Sequence, residues 1–108
     1  MNEQALHFDQ GKPAVTSIPA GFILEMGEVF EIMKADYPDL ESGAPNYTAG
    51  YSVLSYLGSA MRHLLWFMAG EDLDKKTRKS HLCHCSCNIA IIWYIWTHKP
   101  LFDDRVKP

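Results

Sequence analysis

Eight consecutive apolar residues, Ile89 to Trp96, follow a stretch in which His81, His84 and Asn88 recur at helical spacing. A helix that is apolar on nearly every side must be covered all round, by its own chain or by a partner. Strand is the competing reading, because the run is rich in β-branched and aromatic residues. The spacing of the preceding polar residues favours a helix over His81 to Thr97, with Ser80 as N-cap and Pro100 beyond its end. At about 100° per residue, His81 and Asn88 project within roughly 20° of each other, and His84 about 60° away. These side chains form one polar stripe on a greasy helix, and buried polar groups must be paired or ligated.

Two further helices are expected. Pro19 suits the first turn of one running to about Asp36, with Phe22, Ile23, Met26, Val29, Phe30 and Met33 on its apolar face. Glu25, Glu28 and Glu31 fall on its wet side. Tyr37 to Gly50 carries Pro38, Gly43, Pro45 and Asn46 and reads as a loop. The second helix spans about Ser52 to Ala69, with Val53, Leu54, Leu57, Met61, Leu64, Leu65 and Met68 inward and Gly70 stopping it. The polar run Glu71 to Lys79 reads as a solvated loop. The expected architecture is therefore all-α, with three main helices. An N-terminal arm (1–18) precedes a helical domain (19–97) and a C-terminal tail (98–108). A chain of 108 residues covers such a third helix poorly, so a bundle completed by oligomerisation, as a homodimer or tetramer, is expected.

Charge narrows the partners. Ten Lys+Arg against thirteen Asp+Glu give a net charge of -3, which disfavours binding a nucleic-acid polymer through its phosphates. A free nucleotide stays open, since a divalent metal can carry the positive charge the protein lacks. The apolar run is far shorter than the roughly 20 residues a membrane span needs. The N-terminus has neither the basic nor the apolar region of a signal peptide. A soluble, cytoplasmic protein is expected.

Glu71, Asp72 and Asp74 crowd three carboxylates just past a helix end, and hard cations such as Mg2+ (or Mn2+) bind carboxylate oxygens while holding a phosphate chain. The same cluster is equally a solvated turn. His63 sits beside Arg62 on the second helix, where the pair could face one cavity. Cys83, Cys85 and Cys87 with His81 and His84 suggest zinc. Alternate cysteines point to nearly opposite sides of a helix, however, which makes them small core residues instead.

Several motifs fall in one order: Phe8-Asp9-Gln10-Gly11-Lys12-Pro13, Ser17-Ile18-Pro19, Lys34 with Tyr37, Asn46-Tyr47, Arg62-His63-Leu64, Gly70-Glu71-Asp72-Leu73-Asp74, then His81-Leu82-x-His84 with Asn88. Over roughly residues 8 to 96 the chain resembles the phage-encoded dATP/dGTP diphosphohydrolase family of all-α nucleotide pyrophosphohydrolases. Tyr47 stands where that family more often has Trp, and Arg78-Lys79-Ser80 replaces a Ser-Gly-Leu-Pro stretch. The resemblance implies metal-dependent cleavage of purine (deoxy)nucleoside triphosphates to monophosphate and pyrophosphate, remodelling the nucleotide pool of an infected host cell. It implies Glu71, Asp72 and Asp74 as metal ligands, and His63, His81 and His84 as catalytic groups. Lys12 and Arg62 would meet phosphate, Tyr47 or Trp66 the base, and Asn88 a histidine, the sugar or the base. Two other readings stay open on the residues alone. One is a nucleotide-sequestering protein without catalysis, and the other a helical oligomer whose polar stripe sets subunit register.

Overall fold

The computed structural model describes residues 3–8 and 10–108, and Asp9 of the first motif lies outside them. Three α-helices carry the fold: α1 (Ala20–Met33), α2 (Val53–Met68) and α3 (His81–His98). Short 3-10 turns lie at Val15–Ser17, Asn46–Ala49 and Pro100–Phe102. The described residues contain no strand, only an isolated antiparallel bridge between Leu73 and Ser80. The architecture is all-helical, as the periodicity predicts.

Local chemistry sets the boundaries. Ser52 caps α2 by accepting from Ser55 N–H at 3.0 Å, and Ser80 caps α3 by accepting from Leu82 N–H at 2.9 Å. α1 stops at Met33, earlier than expected, and its end is a turn in which Tyr37 N–H donates to the Met33 carbonyl at 2.9 Å. Pro38 disfavours helical backbone at Tyr37, so the helix cannot continue.

α3 is the central element, packing along α2 and, less extensively, against α1. Val29, Cys83 and Cys87 are buried between α1 and α3, with Phe22, Met26, Phe30 and Met33 around them. Val53, Ala60 and Ile95 are also buried. Cys83 and Cys87 are core residues, Cys85 is half-buried, and all three are free thiols. Burial pushes the Cys83 thiol up to about 11 and Cys87 to about 12, and Cys87 donates to the Met26 carbonyl.

Several residues expected to point inward do not. Ile23 on α1 and Leu54, Met61, Leu64, Leu65 and Met68 on α2 are exposed, Met68 to 76%, and on α3 so are Ile89, Trp93 and Trp96. One chain has too few helices to cover both sides of α2 and α3. Among the described residues no helix is long and apolar enough to cross a membrane.

The tail is tied down. The Asp104 carboxylate accepts from Leu54 N–H at 2.9 Å and from the Ser52 hydroxyl, placing an anion at the positive end of α2. Phe102 lies so close over Gly50 that a Cβ there would come within 2.5 Å of its ring, and Gly50 has φ +90. Only glycine meets both conditions.

Candidate active site

The imidazoles of His63 on α2 and of His81 and His84 on α3 converge. His63 and His84 stack at 4.5 Å between centroids and 11° between planes, and His63 Nδ1 lies 2.8 Å from His81 Nδ1. The polar stripe read from the sequence thus faces α2 and meets a third imidazole there. His81 is only 1% exposed, and its Nε2 lies 2.9 Å from Glu71 Oε1. A carboxylate only accepts, so Nε2 holds the proton, and in neutral His81 Nδ1 is left as a lone pair.

The segment Glu71–Lys79 is not a plain solvated loop. Oδ2 of Asp74 accepts from Lys76 N–H at 3.1 Å, Thr77 N–H at 2.8 Å and the Thr77 hydroxyl at 3.0 Å. Having given its proton to Asp74, the Thr77 hydroxyl accepts from His84 Nε2 at 2.6 Å. Asp74 N–H donates to the Lys79 carbonyl, and Arg78 in the left-handed region (φ 62) closes the turn onto the Asp74 carbonyl. From α1, Glu25 accepts from Ser80 N–H at 2.9 Å, and Glu28 pairs with Lys79. Glu25 therefore does not belong to a purely wet face. The Ser80 N–H first and the Cys83 thiol second hold its carboxyl below the usual range.

A groove of about 960 Å³ opens between α1 and α2. Its floor is α3 at His84, Cys87, Asn88 and Ile91, with Arg62 and His63 at one end of the α2 wall and Tyr51 and Tyr56 toward the other. Tyr47, edge-on to Tyr94 at 5.4 Å, lines it from the 3-10 turn. A smaller cavity of about 270 Å³ touches Trp66, Glu71, Asp74 and His81. The two hollows meet at the pair His63 and His81.

Not every expected site residue joins this constellation. Asp72 is exposed and gives only its carbonyl, to His81 N–H at 3.0 Å. Lys12 is exposed on the arm and does not line the groove. Trp66 lies by the smaller cavity, 5.4 Å from the His81 ring and away from the groove. Asn88 lines the groove and donates to Ser59 at 3.2 Å and to the His84 carbonyl at 2.9 Å. Thr77, Ser59, Tyr51 and Tyr56 were not anticipated. Thr77 was findable, since Asp followed by Thr three residues on is a turn-forming pattern.

The sequence profile described as dATP/dGTP diphosphohydrolase, N-terminal, matches residues 2–105. The chain belongs to this family. A protein of Salmonella phage PMBT28 named dATP/dGTP diphosphohydrolase is 28% identical over 100 residues, covering 93% of this chain and 32% of that protein. The chain thus spans about a third of that relative's length. No solved structure shows significant similarity to this member of the dATP/dGTP diphosphohydrolase N-terminal family.

Electrostatics in this family member favour the neutral forms of His63 and His84. Burial, then the neighbouring His84 and His81, push His63 from 6.5 down to about 4, and burial likewise lowers His84. At Asp74 partial burial opposes ionisation, but hydrogen bonds from Thr77, with the nearby His84 and His63, outweigh it and lower the pKa. A depressed histidine pKa means the unfolded chain binds more protons between about pH 4 and 6.5, so stability rises with pH across that window. Thermal melts should therefore show Tm falling as pH drops from 6.5 toward 4. His63→Asn should flatten that slope, and an unchanged slope would contradict the assignment.

Proposed function

We propose that this chain carries the nucleotide groove and hydrolytic centre of a metal-dependent diphosphohydrolase that cleaves dATP and dGTP to monophosphate and pyrophosphate. The observation that carries this reading is the meeting of a nucleotide-sized groove with a cluster of three imidazoles and Asp74 at its end. The family membership and the name of the phage relative support the substrate class.

From Tyr56 to His63 along α2 is about 10 Å at 1.5 Å per residue, the scale separating a base from its phosphate chain. The base is assigned to the aromatic end, against Tyr47 and Tyr56, and the phosphates to the end with Arg62 and His63. Asn88 spends its amide hydrogens on Ser59 and His84, which leaves its Oδ1 to accept from a sugar hydroxyl. A divalent ion, when bound, neutralises phosphate charge and lowers the pKa of a water. The donor chemistry of His63, His81 and Asp74 fits such an ion. Neutral His84, which donates from Nε2 to Thr77, keeps a lone pair on Nδ1 to accept a proton, and Thr77 ties it to the ionised Asp74.

Incubating the chain with dATP or dGTP and Mg2+ or Mn2+ should yield deoxynucleoside monophosphate and pyrophosphate in equal amounts. Tight stoichiometric binding with the nucleotide recovered intact would instead establish a sequestering protein. In a phage-infected cell the proposed activity would deplete purine deoxynucleotides.

The same reading includes a second copy of the chain over the exposed apolar side of α2 and α3. Trp93 and Trp96 on α3 are each more than half exposed, as are Met61 and Met68 on α2. Sedimentation at micromolar concentration should give a dimer or tetramer, and Trp93→Glu should shift it toward the monomer. A monomer at all concentrations would refute this.

A further inference from the structure

We propose that His63 Nδ1, His81 Nδ1 and a carboxylate oxygen of Asp74 form a three-donor site for a first-row transition metal ion, with Glu71 outside the ligand set. This rests on the reading of the imidazole cluster as the centre of the reaction, and it reassigns the expected ligands.

Geometry comes first. One ligand atom from each of these three residues lies within 4.8 Å of the other two. The two Nδ1 atoms are 2.8 Å apart. Two nitrogens bound at right angles to one ion, each about 2.1 Å away, would sit about 3.0 Å apart, so their separation needs to change by only tenths of an ångström as the rings turn their lone pairs toward the ion. Without a metal, one of these nitrogens must donate a hydrogen to the other. With one, both lone pairs are used and the His63 proton moves to Nε2 with no change in charge.

The surroundings match what a ligating histidine needs. A metal-bound imidazole commonly donates its other N–H to a carboxylate, which fixes its tautomer and raises its basicity. Glu71 does this for His81, its Oε1 lying 2.9 Å from Nε2. Glu71 is thus an orienting group, not a ligand. Asp74 is held by three hydrogen bonds on Oδ2, which leaves Oδ1 with both lone pairs. Asp72, exposed and outside the cluster, contributes no donor.

Donor chemistry then selects the ion. Magnesium favours an all-oxygen octahedron, whereas two imidazoles and a carboxylate suit Mn2+, Fe2+, Co2+ or Zn2+. Both hollows reach the site, so water or a phosphate oxygen has access to the remaining positions.

Cobalt is the probe, because its visible absorption reports nitrogen ligation without any turnover. Titrating the full chain with Co2+ should give one equivalent per chain, visible d–d bands and a raised Tm. His63→Asn and His81→Asn should each abolish the bands. Glu71→Gln should keep them but weaken affinity about 10- to 100-fold, and Asp72→Asn should bind like the parent. Circular dichroism without metal checks folding, and His63 on the less buried helix supplies the test if His81→Asn unfolds. No cobalt binding, or bands that survive in both histidine variants, would overturn the proposal. Cobalt bound as expected with no nucleotide cleaved would sink the hydrolase reading and leave this site standing. Full Mg2+-dependent hydrolysis by His63→Asn would do the reverse.

Discussion

Asp74→Ala should lower kcat/KM for dATP and dGTP by about 10³-fold or more, the scale seen when a central charged group leaves a reaction centre. The carboxylate has three jobs at once. It offers an oxygen beside His63 and His81, holds Lys76 and Thr77 in their turn, and ends the chain of hydrogen bonds from His84. Alanine removes all three, so Tm should fall together with activity. Asp74→Asn separates them. An amide oxygen still accepts from Thr77 and preserves the turn, while the charge is gone. The Asn variant should melt within a few degrees of the parent and still be nearly inactive in steady-state assays. Thr77→Val, which removes the hydroxyl joining His84 to Asp74 but keeps the Thr77 N–H bond to that carboxylate, should cost less, about 10-fold. An Asn variant with parental turnover would show that Asp74 only shapes the loop.

How far the sequence foretold this depends on what sets each feature. The three helices were legible because their causes are local: Ser52 and Ser80 cap, Gly70 and Pro100 stop, and the apolar period persists between them. His81 and His84 were legible as a stripe on one helix. That His63 stacks on His84 was not, because it depends on how α2 lies along α3 and no local pattern encodes that. Glu25 misled for the same reason. A periodicity plot assigns it to the wet face, yet it reaches the N-terminus of α3 and is held there by Ser80 N–H. The acidic run was seen as a unit, but its members diverge. Asp74 turns back on its own loop, Glu71 goes to His81, and Asp72 stays in solvent. Spacing alone cannot sort three carboxylates within four residues when a left-handed Arg78 and a bridge from Leu73 to Ser80 set their directions.

Arg62→Ala should raise KM and lower kcat together, with a combined loss of about 10²- to 10³-fold. Two cations line the groove, and they are not equivalent. Lys34 is engaged by Glu31 at 3.3 Å and Asp39 at 3.6 Å, which neutralise it before any ligand arrives. Arg62 lies next to His63 and lies back along α2, with Nη1 over Gly58 at a distance where an added Cβ would sit 3.2 Å away. It makes no hydrogen bond or ion pair among the described residues, so its donors are available to a polyphosphate. Charge that develops on a departing pyrophosphate is largest in the transition state, so the effect must appear in kcat as well as in binding. Arg62→Lys keeps the charge but loses the planar fork, and should recover part of the loss in KM and little of that in kcat. Gly58→Ala offers an independent check from the opposite side. It leaves the guanidinium in place but presses on Nη1, and should reproduce a fraction of the Arg62→Ala defect without lowering Tm. If Arg62→Ala changed neither constant, the phosphate end of the groove would have to be sought elsewhere.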